Sequence, residues 1–365
     1  MATNKNQHFV PRCYLRPFTT EASDRAINLY NIDRQKVIVG APLKHQCSGD
    51  YFYGKDERLE AGIQATESAY AAAVKMILSP GYKLTDEHRS LLKIFWLMQH
   101  LRTEAASRRS VEMSDAMRKI VGEEGSPFRL EIKEAVQIAM GTFAESIHIL
   151  DDLKVVLIRN RTNVPFVTSD DPAVLTNRWH LHNAKRFDRT FGLQSAGDLM
   201  LLPITPRVLA VVYDGDVHSI THDGGWADLK DDRDADAFNQ HQYLNCRANI
   251  FLRDERFGSL VHESYSRTAR LRPPQRHRLT YAVKDQTVGE HTRYVVVDPA
   301  TAREHAEAII HTETVHATPA NWPRLLSWRG GAHVYTNGTG LGYVRKAFTH
   351  RATRDPFKRL PAFLG

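Results

Sequence analysis

The chain has 365 residues, of which 42% are hydrophobic, 9% aromatic and 25% charged, and its formal net charge is +7. This composition is ordinary for a globular protein and allows one large domain or two smaller ones. It excludes a membrane-spanning helix, because the sequence has no run of about eighteen apolar residues. The excess of positive charge favours a partner that carries phosphate, either nucleic acid or a nucleotide.

The cysteine content and the first residues predict a cytoplasmic protein with no membrane partner. The three cysteines, Cys13, Cys47 and Cys246, are few and odd in number, as is typical of reduced thiols. The start MATNKNQH lacks the charged and then apolar pattern of a secretory signal.

Residues 6–18, NQHFVPRCYLRPF, are unusually apolar for the start of a chain, and we call them the N-terminal segment. Most chain termini are polar and poorly ordered. The segment contains five large apolar side chains: Phe9, Val10, Tyr14, Leu15 and Phe18. We therefore expect it to dock into the body of the protein and to carry His8 into a polar site.

The first half of the chain after this segment is predicted to be mostly helical. Residues 27–40 read as two strands joined by a turn. Capping residues, glycines and prolines then delimit four helices, at 56–78, 85–108, 109–121 and 126–150. The last of these would begin with Ser126 as its cap and Pro127 in its first turn.

The second half of the chain is predicted to be mostly strands. Short apolar runs separated by Asn, Asp, Gly and Pro indicate strands at 153–160, 164–169, 198–204, 207–215, 281–285 and 292–299, with one helix at 232–247. The fold class is therefore α+β, with an N-terminal helical block packed on a mostly antiparallel sheet formed by the second half. We expect a main domain at 1–265 and a basic C-terminal extension or subdomain at 266–365.

The helix predicted from residue 85 places two polar side chains on an apolar face. Leu92, Phe95, Gln99 and Arg102 follow one another at steps of three or four residues. A buried guanidinium needs an acidic partner or an anionic ligand. We expect Gln99 and Arg102 to line a polar pocket, the alternative being that Arg102 reaches solvent past its apolar stem.

Candidate acidic partners occur in two places. Glu60, Gln64 and Glu67 share one face of the first long helix, either bordering the core or forming a solvated surface. Asp170 follows the predicted strand that ends in TSDDP, where an acid is placed either for chemistry or as an ordinary turn residue.

The three motifs together resemble a known family. They are His-x-x-Pro-x-x-Tyr-Leu-x-x-Phe, Gln-x-x-Arg and Thr-Ser-Asp-x-Pro, and the combination is similar to the bacterial family called domain of unknown function 4238. The matching residues are His8, Pro11, Tyr14, Leu15, Phe18, Gln99, Arg102, Thr168, Ser169, Asp170 and Pro172. The resemblance spans residues 6–260 and implies a shared site without supplying a reaction.

These residues suggest a phosphate-directed hydrolase such as a metal-dependent nuclease, in a toxin or phage-defence setting. In this hypothesis His8, Glu67 and Asp170 are catalytic, and a divalent Mg or Mn ion is held by Glu60, Glu67 and Asp170. Phosphate would be bound by Gln99, Arg102, Arg12 and Ser169. The alternative is a non-enzymatic sensor of a nucleotide or acidic metabolite, or the nucleic-acid-binding component of a larger complex. The sequence has no phosphate-binding glycine loop and no Gly-x-Ser-x-Gly elbow.

Overall fold

The computed structural model describes residues 5–22, 25–120, 122, 129–183, 190–289, 291–299, 307–339, 341–350 and 355–363. Its helices are α1 (Arg12–Leu15), α2 (Glu57–Ile77), α3 (Asp86–Arg102), α4 (Glu104–Ile120), α5 (Ile132–Ser146), α6 (Arg178–His182), α7 (Asp232–Asn245) and α8 (Gly258–Ala269). Its strands are β1 (Asn6–His8), β2 (Ala26–Asn31), β3 (Lys36–Pro42), β4 (Ser48–Asp50), β5 (Lys154–Asn160), β6 (Thr168–Ser169), β7 (Val174–Thr176), β8 (Leu199–Thr205), β9 (Val208–Tyr213), β10 (His218–Ser219), β11 (Trp226–Leu229), β12 (Asn249–Leu252), β13 (His277–Val288), β14 (His291–Val296), β15 (Ala308–Thr314), β16 (Ser327–Trp328), β17 (His333–Thr336) and β18 (Lys358–Pro361).

A five-stranded sheet in the order β11-β5-β9-β8-β7 forms the centre of the fold. The β11–β5 pair is parallel and the other pairs are antiparallel. Both faces of this sheet are buried, which explains why its strands are continuous apolar runs instead of alternating ones. Val155 and Leu157 point to the core that contains α2, α3 and α5. Val156 and Ile158 point to a second core that includes side chains of α7.

A second, antiparallel sheet has the order β3-β2-β12-β6 and so pairs the early strands β2 and β3 with the later strands β12 and β6. Its strands contribute Tyr30 and Ile250 to a core that also contains Tyr243 of α7 and Val261 of α8. Strand β6 is only two residues long, and it brings the Thr-Ser-Asp-x-Pro turn beside β12.

The part of the chain after residue 265 packs against the earlier part. Strand β16 pairs with β10, and β13, β14 and β15 form a three-stranded antiparallel sheet. The Arg345 guanidinium is buried, with its Nε 3.2 Å from Oδ2 of Asp152. The division into 1–265 and 266–365 stays a prediction.

The structure confirms the α+β class, with helices early and antiparallel sheets later in the chain. It corrects one helix boundary: α3 ends at Arg102 and not at Arg108, because Thr103 is extended with φ −72° and ψ 157°. The Thr103 hydroxyl then accepts a 3.1 Å hydrogen bond from the Ala106 amide and starts α4. The predicted start at Ser126 and Pro127 lies outside the described residues. In the described part of the chain, α5 begins at Ile132. In the described part of the chain, no helix has the length and apolar character needed to cross a membrane.

Candidate functional site

The N-terminal segment is docked in the core, as predicted. Its five large apolar side chains are each 6% exposed or less: Phe9, Val10, Tyr14, Leu15 and Phe18. The Tyr14 ring packs 6.1–6.3 Å from the rings of Phe18, Tyr70 and Phe95. Burying aromatic rings in this way offsets the entropy lost when a chain terminus is ordered.

Hydrogen bonds from all three sequence motifs meet at this segment. The Gln99 side-chain amide donates to the Phe9 carbonyl at 2.8 Å. The hydroxyls of Tyr14 and Thr168 are hydrogen-bonded at 2.7 Å, although 154 residues separate them. The Tyr53 hydroxyl donates to the His8 carbonyl at 3.0 Å. The motifs therefore converge in space, and much of what they do is to fix the N-terminal segment.

Arg102 is fully buried and has found an acidic partner. Its Nη1 donates to Oε1 of Glu67 at 2.8 Å, and its Nε donates to Oε1 of Gln99 at 3.1 Å. Burial alone disfavours the charged form, but Tyr53 and the Glu67 carboxylate more than offset it, so the pKa of Arg102 lies above its ordinary value. The alternative that Arg102 reaches solvent is excluded, since its exposed fraction is 0%.

A small polar cavity, which we call the N-terminal pocket, lies between the N-terminal segment and α2. Its volume is about 180 Å³, and among its lining residues are His8, Arg12, Tyr53, Glu60 and Glu67. Glu60, Gln64 and Glu67 all line it because they share one face of α2. Gln99 and Arg102 lie behind the pocket and affect it through Glu67 instead of lining it.

His8 is held as a neutral imidazole at this pocket. Its Nδ1 lies 3.1 Å from the Gln46 carbonyl, which can only accept, so Nδ1 carries the hydrogen and Nε2 carries the lone pair. Burial lowers the pKa of His8, the Gln46 hydrogen bond partly opposes this, and the positive charges of Arg12 and Arg102 lower it further. At neutral pH this side chain is therefore suited to accept a proton.

Cys13 also lines the pocket, but its thiol stays protonated. Burial and the nearby Glu67 charge raise the pKa of Cys13 to about 11. The Cys13 Sγ lies 3.8 Å from the Glu67 backbone carbonyl. Because the thiolate and not the thiol is the nucleophile and metal ligand, Cys13 fits neither role at neutral pH.

Asp170 does not join the group at the N-terminal pocket, which corrects the sequence-based arrangement. Its carboxylate accepts hydrogen bonds from the backbone N–H groups of Arg247, Ala248 and Asn249 at 2.8, 2.8 and 2.9 Å. Burial raises the pKa of Asp170 to about 6, while these three N–H groups act in the opposite direction. The carboxylate thus holds the loop that leads into β12.

Ser169 and Asp171, on either side of Asp170, also make hydrogen bonds inside the protein. The Ser169 hydroxyl donates to Oε1 of Gln242 at 2.8 Å and is fully buried, so it does not line the pocket. Asp171 accepts from Thr103 at 2.8 Å and from Arg109 at 2.6 Å. Within the described residues, no three His, Cys, Asp or Glu side chains are grouped to hold a metal, and Glu60, Glu67 and Asp170 are therefore not brought together.

We expect Asp170→Asn to destabilise the fold. An amide side chain offers one acceptor oxygen and places N–H hydrogens against at least one backbone N–H. A buried donor left without an acceptor costs about 1–3 kcal/mol. Urea unfolding should therefore show a loss of this size in the free energy of unfolding, and a larger loss in Asp170→Ala. The exposed Asp33→Asn is the matched control. An unchanged free energy of unfolding in Asp170→Asn would contradict the structural role.

Two lining residues, Gln7 and Tyr53, were missed by the sequence analysis. Gln7 accepts from the Tyr53 amide at 2.7 Å and donates to the Gly54 carbonyl at 3.2 Å, so it ties the segment to the loop before α2. Neither residue belongs to a periodic pattern, and nothing in the neighbouring sequence set them apart.

The fold and these contacts define an α+β protein whose N-terminal segment is fixed over a small polar pocket by a network of Arg102, Glu67 and Gln99. The family model described as "Protein of unknown function (DUF4238)" matches residues 6–256, which include all three motifs, and the chain belongs to this family. No curated protein and no solved structure matches the chain.

Proposed function

We propose that the N-terminal pocket is a hydrolytic site for phosphate esters, with His8 as the general base. The observation that carries this proposal is the 3.1 Å contact of His8 Nδ1 with the Gln46 carbonyl, which leaves Nε2 as the proton-accepting nitrogen of a side chain that lines the pocket together with a guanidinium and carboxylates. Attack by water forms a P–O bond and breaks the ester P–O bond. The water proton passes to Nε2, and the leaving alkoxide takes a proton from the imidazolium or from solvent.

The positive charge of Arg12 and of the whole chain supports a phosphate ester as the substrate. Arg12 lines the pocket from the solvent side, and a guanidinium can bind two phosphate oxygens at once. The net charge of +7 draws anionic substrates to the protein. A nuclease is one enzyme of this class, and nucleic acid or a nucleotide is then the partner.

We keep a divalent ion, Mg or Mn, in the proposal, but with fewer protein ligands than the sequence predicted. Glu60 and Gln64 are one helical turn apart and both line the pocket, so their side-chain oxygens could bind an ion together with substrate phosphate. Glu67 fits less well because its Oε1 is taken by Arg102. We derive no step through such an ion.

The test is hydrolysis of p-nitrophenyl phosphate and bis-p-nitrophenyl phosphate by the full chain and by His8→Asn. The asparagine amide can keep the hydrogen bond to the Gln46 carbonyl but supplies no base, so we expect a loss of about 10²–10⁴ in kcat. The exposed His45→Asn is the matched control. Because the pKa of His8 is lowered, kcat/KM should be flat at neutral pH and fall only as the pH drops below about 6.5.

Two outcomes would contradict the proposal: no turnover of either ester, or full activity in His8→Asn. Repeating the assay with EDTA and then with added Mg or Mn separates a metal-dependent reaction from one that needs only His8.

A second function, a receptor for an anionic ligand without turnover, is favoured by one observation. Nη2 of Arg102 is buried and has no hydrogen-bond partner among the described residues. An anion that entered beneath the N-terminal segment could accept from it, and the segment would then act as a lid. Binding of a nucleotide that is lost in Arg102→Lys, without any hydrolysis, would favour the receptor.

A further inference from the structure

A second and larger cavity, of about 610 Å³, has no part in the site described above. It lies between the end of the N-terminal segment, the β8–β9 turn and the chain that leads into α8, and we call it the arginine groove. Its apolar lining includes Pro17, Leu78, Phe166, Pro206, Leu252 and Phe257. Leu78 is 45% exposed, so part of this apolar lining is open to solvent.

The polar lining of the groove is strongly basic. Four of its lining residues are arginines: Arg16, Arg207, Arg253 and Arg256. Among the described residues that line it, Asp254 is the one acid, and it accepts from Nε of Arg256 at 2.8 Å. The lining set therefore carries four positive charges and one negative charge, a net of +3.

The backbone at this edge of the groove is already hydrogen-bonded. A 3-10 turn, Glu255–Phe257, runs directly into α8, and the Asp254 carboxylate accepts from the Arg256 amide at 3.0 Å. The features that point to a ligand are therefore the apolar wall and the guanidinium groups.

We propose that the arginine groove binds a nucleoside di- or triphosphate. A flat base can pack on Phe257 and the prolines, and guanidinium groups can also stack on its face. More than one phosphate is needed to use several arginines, each of which can bind phosphate oxygens bidentately. A fatty acid would use one arginine only. The cavity volume is in the range of about 300–1,000 Å³ that suits one small molecule.

This proposal does not depend on hydrolysis at the N-terminal pocket. The residues of the two cavities do not overlap. Arg12 lines one cavity and Arg16 the other, and both lie in the N-terminal segment. A nucleotide in the groove would therefore contact the same segment that closes the pocket.

The experiment is isothermal titration of the full chain with ADP and with ATP, in the presence of EDTA. Variants Arg16→Gln and Arg253→Gln each remove one guanidinium, and Leu78→Glu places a carboxylate on the apolar wall. Arg293→Gln removes the same charge from exposed strand β14 and is the matched control. His8→Asn tests whether the nucleotide binds at the other cavity instead, and thermal melts verify that each variant is folded.

We expect saturable binding of one nucleotide, weakened about tenfold or more by each groove variant. Arg293→Gln and His8→Asn should bind as the unaltered chain does, and adenosine should bind at least about tenfold more weakly than ADP because it lacks phosphate. The proposal is overturned if neither nucleotide binds, or if Arg293→Gln weakens binding as much as Arg253→Gln does. It is also overturned if an oligothymidylate strand binds while ADP and ATP do not.

Discussion

Deletion of residues 1–18 is expected to leave the protein without a cooperative fold. The deleted part contains five side chains that are almost fully buried: Phe9, Val10, Tyr14, Leu15 and Phe18. Burial of each is worth about 1.5–3 kcal/mol, which sums to about 8–15 kcal/mol. This equals the whole net stability of a typical domain, about 5–15 kcal/mol. The deletion also exposes Tyr70 and Phe95, against which Tyr14 packs.

The measurement is thermal and urea unfolding followed by circular dichroism, with a graded control inside the segment. Tyr14→Phe keeps the ring and removes only the hydroxyl that is bonded to Thr168. Tyr14→Phe should lower the free energy of unfolding by about 1 kcal/mol and keep a cooperative transition. A truncated chain that unfolds cooperatively at the midpoint of the full chain would refute the docking of the segment.

The sequence was sufficient to predict the docked segment and the polar face of α3, because both depend on local pattern. A group of aromatic residues at a terminus has few explanations other than burial, and a spacing of three residues puts Gln99 and Arg102 on one face of any helix. The choice of Glu67 over Glu60 as the partner of Arg102 could not be predicted. Both acids share a face of α2, and the packing of α2 on α3 decides which one is in reach.

The role of Asp170 was not predictable for a different reason. Its partners are backbone amides at positions 247–249, which are 77 to 79 residues away and leave no side-chain pattern. An acid at the end of a strand looks the same in a sequence whether it serves catalysis or holds a loop. The arginine groove could not be predicted from the sequence either, because residues 16, 207, 253 and 256 come together only in the folded protein.

The Arg102–Glu67 pair leads to the second prediction with a large effect. Glu67→Leu leaves the guanidinium, which is 0% exposed, without its countercharge, and we expect a loss of about 3–5 kcal/mol in the free energy of unfolding. Arg102→Leu should cost less, because the Glu67 side chain is 24% exposed and water can reach it. Arg102→Lys keeps the charge but not the planar fork that reaches both Gln99 and Glu67, so it should be intermediate.

A double-mutant cycle separates this pair from its surroundings. Arg102→Leu combined with Glu67→Leu removes both charges and should cost clearly less than the sum of the single variants, with a coupling of about 1–3 kcal/mol. The exposed ion pair of Lys284 and Glu307 is the matched control, and its coupling should be clearly smaller because water screens both charges. If the two buried substitutions were simply additive, Arg102 would be stabilised by groups other than Glu67. In that case, the Arg102–Glu67 ion pair would not be the interaction that fixes the N-terminal segment over its pocket.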